Sequence, residues 1–382
     1  MSAQPRALHG VRVLDLSRVL AGPHATMLLA DLGADVIKIE RTGVGDDTRT
    51  WGPPWYDGEA TYFLGTNRNK RSVCLDLTDE ADLARLHTLA ADCDVLVENF
   101  RPGTLDKYGL GYSQLAGDHP ALVYCSITGF GSGRGAHLPG YDLIAQATGG
   151  LMSITGTPDE PMKVGVALVD VITGLHATIG IQAALRHRDA TGEGQLVEVN
   201  LLSSLLSALS NQASAHVLTG AVPAALGNAH PSVAPYQPLR TADRPLAVAA
   251  TTERQFQALA DAIGRGDLCA DPRYASNSSR VANREDLIAE IEATFVTADA
   301  DHWFELLTSR GVPCGPINDL GQAFRLAEEL GLEPVVQAGT GDDRRVAQVR
   351  NPIGLSHTPA TYRRDPPRLG SRSGAVEWLD ER

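Results

Sequence analysis

The sequence lacks several of the patterns that would assign a function directly. No GxGxxG bridges a strand and a helix: the first candidate turn reads LSRVLAGPHA, and GSGRGA at 131–136 runs into HLPG, where Pro139 stands in place of a helix start. A nicotinamide dinucleotide site is therefore not expected. There is no Walker loop, no HExxH and no GxSxG nucleophile elbow, and the eleven histidines form no ligand pair at helical spacing. Cysteine is scarce and scattered: Cys74, Cys93, Cys125, Cys269 and Cys314 form no CxxC. That spacing indicates neither a metal site nor a disulfide framework, and reduced thiols fit a cytoplasmic protein. Positive charge is in deficit, with 33 Lys and Arg against 46 Asp and Glu and a net charge of −13. Nucleic acid is thereby excluded as a general partner, because phosphate binding needs a basic face. No apolar run reaches membrane-spanning length without a polar interruption, and MSAQPRALHG carries no signal pattern, so no membrane partner is expected.

What is present is an ordinary globular composition, 43% hydrophobic and 21% charged over 382 residues, enough for two domains. GVRVLDLS (10–17) reads as a buried strand and GPHATMLLADLGA (22–34) as a helix, with Pro23 suited to its first turn and Gly33 to its end. DVIKIE (35–40) reads as a second strand. This βαβ opening predicts a parallel sheet, continued by strands at 70–77, 94–100 and 121–131 and a helix at 79–93. QLVEVNLLSSLLSALSNQASAHVLTG (195–220) predicts a short strand feeding a long helix rich in small residues. Residues 220–244 are rich in Pro, Gly and Ala and read as a linker. Beyond them LAVAA and amphipathic helices near 252–264 and 283–296 and over ADHWFELLTSRG outline a smaller α/β domain ending near GVPCGPIND. The expected organisation is a large domain over 1–220, a linker over 221–244, a small α/β domain over 245–320 and a return segment over 321–382.

In a doubly wound sheet the ligand crevice lies at the C-terminal ends of the strands. Ser17 to Ala21 and Lys38 to Arg41 fall at such ends, ENFRPG (98–103) follows another strand, and NRNKR places Arg68, Lys70 and Arg71 just before one. These clusters in an acidic chain suggest a locally held anion; for any single residue, solvated surface charge is the plainer reading. One further stretch stands out. KVGVALVDVITGLHATIGIQAAL (163–185) holds a single carboxylate, Asp170, between a β-like run and a helical pattern. An aspartate there can cap the helix that follows or serve as a chemical group; the motif alone leaves both open.

GVRVLDLSRVLAGPHATMLLADLGADVIKIER, NRNKRSV, CDVLVENFRPGTLDKYGLGY, YCSITGFG, ALVDVITG and GVPCGPIND occur in this order. Together they resemble the class III CoA-transferases, the CaiB/BaiF family, from about residue 8 to about 375. GDDTRTWGPPW, TYFLGTNRNKRSV and NLLSSLLSALS are most similar to the succinate–hydroxymethylglutarate branch, which moves CoA between dicarboxylates. The resemblance implies a Rossmann-like large domain, a smaller α/β domain joined by linkers, and an interlocked homodimer. It places Asp170 of LVDVITG as the nucleophile and Tyr141 of PGYD at the active site. It implies that CoA is bound by Val19, Leu20 and Ala21, by Arg41, and by Lys70, Arg71, Asn99, Phe100, Arg101 and Lys107, the last where relatives often carry Arg.

The implied chemistry is covalent. A carboxylate attacks the thioester carbonyl, expels CoA thiolate and forms a mixed anhydride, and an aspartyl-CoA thioester follows. Acyl-CoA and a small carboxylic acid are the expected substrates, succinyl-CoA or a similar dicarboxylyl-CoA being the donor, with no metal. Anhydrides hydrolyse, so water must be kept out. The family's glycine-rich lid has no matching run of four glycines here; GNAHPSVAPYQ (227–237) is the substitute the sequence offers. Two other readings share the fold. An α-methylacyl-CoA racemase needs an acid–base pair with His in GHD, where this chain has Tyr141, a poor base near neutrality. A non-catalytic acyl-CoA binding protein would not need the VDVITG motif.

Overall fold

The computed structural model describes residues 6–340, 344–371 and 377–379. The chain forms two compact units. The larger takes the chain up to Leu151, Lys163–Val222 and the chain from Glu333 onward; the smaller takes Met152–Met162 and Pro223–Leu332.

The larger unit is organised by a six-stranded parallel sheet. Its strands are β1 (Arg12–Asp15), β2 (Asp35–Glu40), β3 (Lys70–Cys74), β4 (Val95–Glu98), β5 (Val123–Thr128) and β6 (Leu196–Asn200), in the order β6–β5–β4–β1–β2–β3. Val13 pairs with Val36 on one side and Val95 on the other. The order reverses between β1 and β4, which is the topological switch point where doubly wound sheets bind ligands. The central strands read as nearly continuous apolar runs because both faces are covered. On one face Val13, Val36, Val95, Val97 and Val123 pack under Ala25, Leu29, Ala177 and Ile181. On the other, Leu14, Ile37, Ile39, Leu96 and Tyr124 pack with Leu86, Leu89 and Leu115.

The helices of this unit that bear on the site are α1 (Ala21–Asp31), α2 (Glu80–Ala91), α3 (Asp142–Thr148), α4 (Leu168–Thr191), α5 (Leu201–Ala208) and α6 (Ser210–Thr219). Two expectations change here. The β-like run before Asp170 is not a strand: α4 begins at Leu168 and places Asp170 in its first turn. The single long helix expected after β6 divides into α5 and α6 at Leu209 and Ser210, and Ser210 has φ of 45°. By length and composition α4 could cross a membrane. Packing explains part of its apolar content, since Ala177, Ile181, Ala184 and Leu185 belong to the core under the sheet, whereas Leu175 and Ile179 are exposed.

The smaller unit has an antiparallel sheet of β7 (Tyr236–Leu239), β8 (Leu246–Ala249) and β9 (Cys314–Pro316). Helices α7 (Glu253–Ala262), α8 (Arg284–Phe295) and α9 (Ala300–Ser309) build its core around Phe256, Leu259, Ile291, Phe295, Trp303 and Leu307. Strand β7 lies inside the stretch expected as linker. Helix α10 (Leu320–Glu329), expected in the return segment, sits in the smaller unit, because the chain rejoins the larger one only at Glu333. The returning chain then forms the hairpin of β10 (Val335–Ala338) and β11 (Val346–Val349).

Candidate active site

The switch point is built from backbone held in an unusual shape. Asn99, just past β4, ties itself to the chain beyond β1: its Oδ1 accepts from Arg18 N at 2.9 Å and its Nδ2 donates to Arg18 O at 2.7 Å. The next residue, Val19, has φ of 70°, a conformation that is costly for a β-branched side chain and that clusters at functional sites. Buried groups hold it there. Val19 N lies 3.3 Å from both carboxylate oxygens of Asp46. Lys38, fully buried, pairs with Asp46 at 2.9 Å and donates to Ser17 O at 2.8 Å. Burial works against an ionised Asp46, but Lys38 and Thr48 prevail and hold its pKa near 2.

Two cavities flank this junction, both lined by Phe100. One, of about 360 Å³, is bounded by Arg18, Ile39, Arg41, Thr42, Val44 and Leu77 beyond the ends of β1, β2 and β3. The Arg18 guanidinium lies 5.0 Å above the Phe100 ring between the two. Arg41 is largely exposed and pairs with Asp47. The other cavity, of about 210 Å³, lies beyond β4 and β5 and is lined by Ala21, Asn99, Arg101, Thr128, Tyr141 and Asp170 among others. Residues as far apart in sequence as Ala21 and Asp170 thus meet beyond the strand ends.

Asp170 reaches this wall because α4 packs tightly on the start of α1. A Cβ on Gly174, one turn along from Asp170, would lie 2.7 Å from Ala21 O, so glycine is required for the approach. Asp170 does not cap its helix. Asp142, the first residue of α3, does so from outside: its Oδ1 accepts from Val169 N at 2.8 Å and from Asp170 N at 3.3 Å. Burial, followed by the Asp142 charge, pushes the Asp170 carboxyl up to a pKa of about 7. Tyr141, immediately before α3, is 58% exposed and shares the cavity wall with Asp170.

The remaining cavity wall is a loop pinched at its base. Gly129 and Gly140 face each other so closely that a Cβ on either would lie 2.5 Å from the other's Cα. The intervening FGSGRGAHLP adds Gly131, Gly133 and Gly135. This glycine-rich segment borders the carboxylate, whereas 227–237, the stretch singled out from sequence, lies in the smaller unit.

The structure brings Ala21, Asn99, Phe100 and Arg101 together with Tyr141 and Asp170, and places Arg41 at the adjoining cavity. Val19 and Leu20 form the turn between β1 and α1. Lys107 is exposed on a 3-10 turn after β4. Lys70 and Arg71 are placed differently from the sequence expectation. Lys70, 1% exposed, bonds Asp15, Pro23 O and Asn67 Oδ1, and burial pushes its pKa down to about 8. Arg71 forks onto Asp35 and donates to Glu377 O. Both charges are spent inside the larger unit, and a phosphate could recruit them only by displacing a buried carboxylate.

Sequence reading missed two groups. Asp142 is one. Tyr62 is the other: burial and then Asp170, Asp142 and Asp46 push its phenol up to about 12. Its ring packs edge-on to Trp51 at 5.4 Å. No local spacing links either residue to Asp170. Among the described residues no three His, Cys, Asp or Glu side chains gather as a metal site.

The comparisons with known proteins agree with this geometry. The family model for CoA-transferase family III matches residues 8–373. The succinate–glutarate CoA-transferase of Agrobacterium fabrum is 42% identical over 384 residues, covering 97% of this chain and 94% of that protein. The succinyl-CoA:mesaconate CoA-transferase of Haloarcula hispanica is 40% identical, covering 98% and 94%. A CaiB/BaiF family protein from Brucella suis, solved by crystallography, superposes with a TM-score of 0.86 at 42% identity, covering 97% and 98%. A family match over nearly the whole sequence, a doubly wound sheet with its crevice at the switch point, and relatives aligned end to end place this chain in CoA-transferase family III, as a CoA-transferase.

Proposed function

We propose that the enzyme transfers CoA from succinyl-CoA, or a similar dicarboxylyl-CoA, to a small dicarboxylic acid, with Asp170 as nucleophile. The observation that carries this reading is the half-buried Asp170 carboxyl at the wall of a cavity that shares Phe100 with the neighbouring strand-end cavity. The substrate class is supported by the activities named for relatives at 40% identity and above, which act on succinate, glutarate and mesaconate.

An Asp170 oxygen attacks the thioester carbonyl carbon, the C–S bond breaks and CoA thiolate leaves, giving an aspartyl–acyl anhydride. The thiolate attacks the aspartyl carbonyl and releases the donor acid, leaving an aspartyl-CoA thioester. The acceptor carboxylate attacks that thioester, forming a second anhydride and freeing the thiolate again. Thiolate attack on the acceptor's acyl carbon yields the new acyl-CoA and restores the carboxylate. Every intermediate stays activated, so little free energy is lost. The glycine-lined wall at 129–140 lets backbone approach the acyl group closely. Tyr141 flanks the nucleophile. The turn at Val19 to Ala21, with Arg41, Asn99, Phe100, Arg101 and Lys107, forms the CoA surface, the cations serving its phosphates.

We assign CoA binding to the larger unit. The enzyme acts in the cytoplasm, a reading supported by five scattered cysteines with no CxxC pair, and works as an interlocked homodimer. Support for an assembly comes from apolar side chains left bare on single helices: Val217 and Leu218 of α6, and Leu320 and Leu326 of α10 with Leu330 just past its end, all at least 45% exposed. Incubation with succinyl-CoA and a panel of dicarboxylates, followed by chromatography of the acyl-CoA products, tests the reading. A new acyl-CoA whose formation Asp170→Ala abolishes supports it. α-Proton exchange on a branched acyl-CoA without CoA transfer overturns it.

A further inference from the structure

We propose that Asp142 is a positioning residue for the nucleophile, fixing the first turn of α4 while keeping a negative charge against Asp170 that acylation relieves. The inference rests on the reading of Asp170 as nucleophile.

The geometry comes first. An α-helix leaves its first amides unpaired, and Ala167, which precedes α4, has no side chain able to take them. Asp142 Oδ1 takes two, those of Val169 and of Asp170 itself. Its Oδ2 accepts from Gln146 Nε2 at 2.6 Å, and Gln146 Oε1 in turn accepts from Val164 N at 2.9 Å. Gln146 is fully buried. One carboxylate therefore ties α3, the approach to α4 and the nucleophile's own amide into a single unit. Tyr141 is adjacent in sequence, so the same anchor sets both cavity-lining side chains.

Neutral Asn or Ser would serve a cap equally well. What Asp adds is charge, and after burial that charge is what acts on the Asp170 carboxyl. On α1 the titratable groups are His24 and Asp31. His24 is disfavoured as a cation by burial and then by Lys70 and Arg68, and Asp31 is engaged with Arg68. On α5 there is no titratable side chain. On β5 there are Tyr124 and Cys125, both held neutral first by burial. On β6 there is Glu198, bonded to Ser132. On α4 itself His176 faces Ser204. Tyr62, from the short helix Thr61–Leu64, is also neutral near pH 7. Arg101 lines the same cavity, but burial and then the Asp142 charge are what act on the Asp170 carboxyl. A carboxylate so placed is more basic and more nucleophilic, and it loses its charge on becoming an anhydride or thioester, removing the repulsion.

The test compares Asp142→Asn with Asp142→Ala, following acylation of Asp170 by succinyl-CoA through trapping and mass spectrometry between pH 5 and 9. Asn retains an acceptor for the two amides but gives up the charge. The acidic limb of its rate profile is expected to move down by about one pH unit, while the rate on the plateau falls. Ala loses the acceptor as well and is expected to lose at least tenfold more. Asn also forfeits the Gln146 contact; Gln146→Ala forfeits it with the charge intact and should leave the limb unmoved. A limb that stays in place in folded Asp142→Asn, or that moves equally in Gln146→Ala, overturns the proposal. If wild-type protein forms no Asp170 adduct at any pH, the nucleophile assignment fails instead, and the two failures are distinct.

Discussion

Asp170 is a half-buried carboxyl with a pKa near 7 against an ordinary 3.8, raised first by burial and then by Asp142. Below the ordinary value it is neutral in both folded and unfolded chains. As pH rises the unfolded chain ionises first, so stability is lost progressively and the loss is complete above about 7. Asp170→Asn is therefore expected to be more stable than wild type at pH 8 by a few kcal/mol, with the gap narrowing toward pH 5. Thermal melts at several pH values check this; a gap independent of pH would contradict a raised ionisation. Arg41 makes the opposite kind of prediction. Its ion pair with Asp47 is largely exposed and contributes little to folding. Arg41→Ala should leave the melting temperature within a degree or two while raising KM for acyl-CoA about tenfold, the value of one charge-assisted hydrogen bond. An unchanged KM would remove Arg41 from the CoA surface.

At the scale of elements, the parts legible in the sequence are those whose causes are local. β2 is DVIKIE, buried along its whole length; its Val36, Ile37 and Ile39 carry the β-branched signal of a strand, while its buried Asp35, Lys38 and Glu40 find partners in the fold. Pro23 and Gly33 frame α1 as their backbone preferences require. The start of α4 was misread because its cap is supplied by Asp142, 28 residues away from Asp170, and no spacing rule carries that distance. Lys70 and Arg71 are hard to place from sequence for a related reason. A basic cluster looks the same whether it meets a ligand or a buried carboxylate, and here Asp15 and Asp35 take both. The pinched loop was passed over because its glycines are dispersed and their purpose shows only in the contact of Gly129 with Gly140. That contact is testable. Gly140→Ala must push the loop open and is expected to cost about 1–3 kcal/mol together with a marked fall in kcat/KM. Gly133→Ala, whose Cβ would meet nothing within 4 Å, should leave both near wild type. Equal behaviour of the two variants would show that the pinch has no role.

For the whole molecule, the acidic balance is −13, and the cations Arg18, Arg41 and Arg101 nevertheless line the two strand-end cavities. Helix α6 buries none of its residues within the single chain, and α10 likewise, an arrangement expected of surfaces covered on assembly. Light scattering coupled to size exclusion should give twice the 40.6 kDa chain mass; a monomer that is fully active would rule out the interlocked dimer. The central claim, that Asp170 carries the acyl group and then CoA, is tested most directly by mixing the enzyme with succinyl-CoA, trapping with hydroxylamine or borohydride, and mapping the modified residue by mass spectrometry. The account requires modification at Asp170 that disappears in Asp170→Ala. Continued CoA transfer by that variant, or an adduct on another side chain, would contradict it.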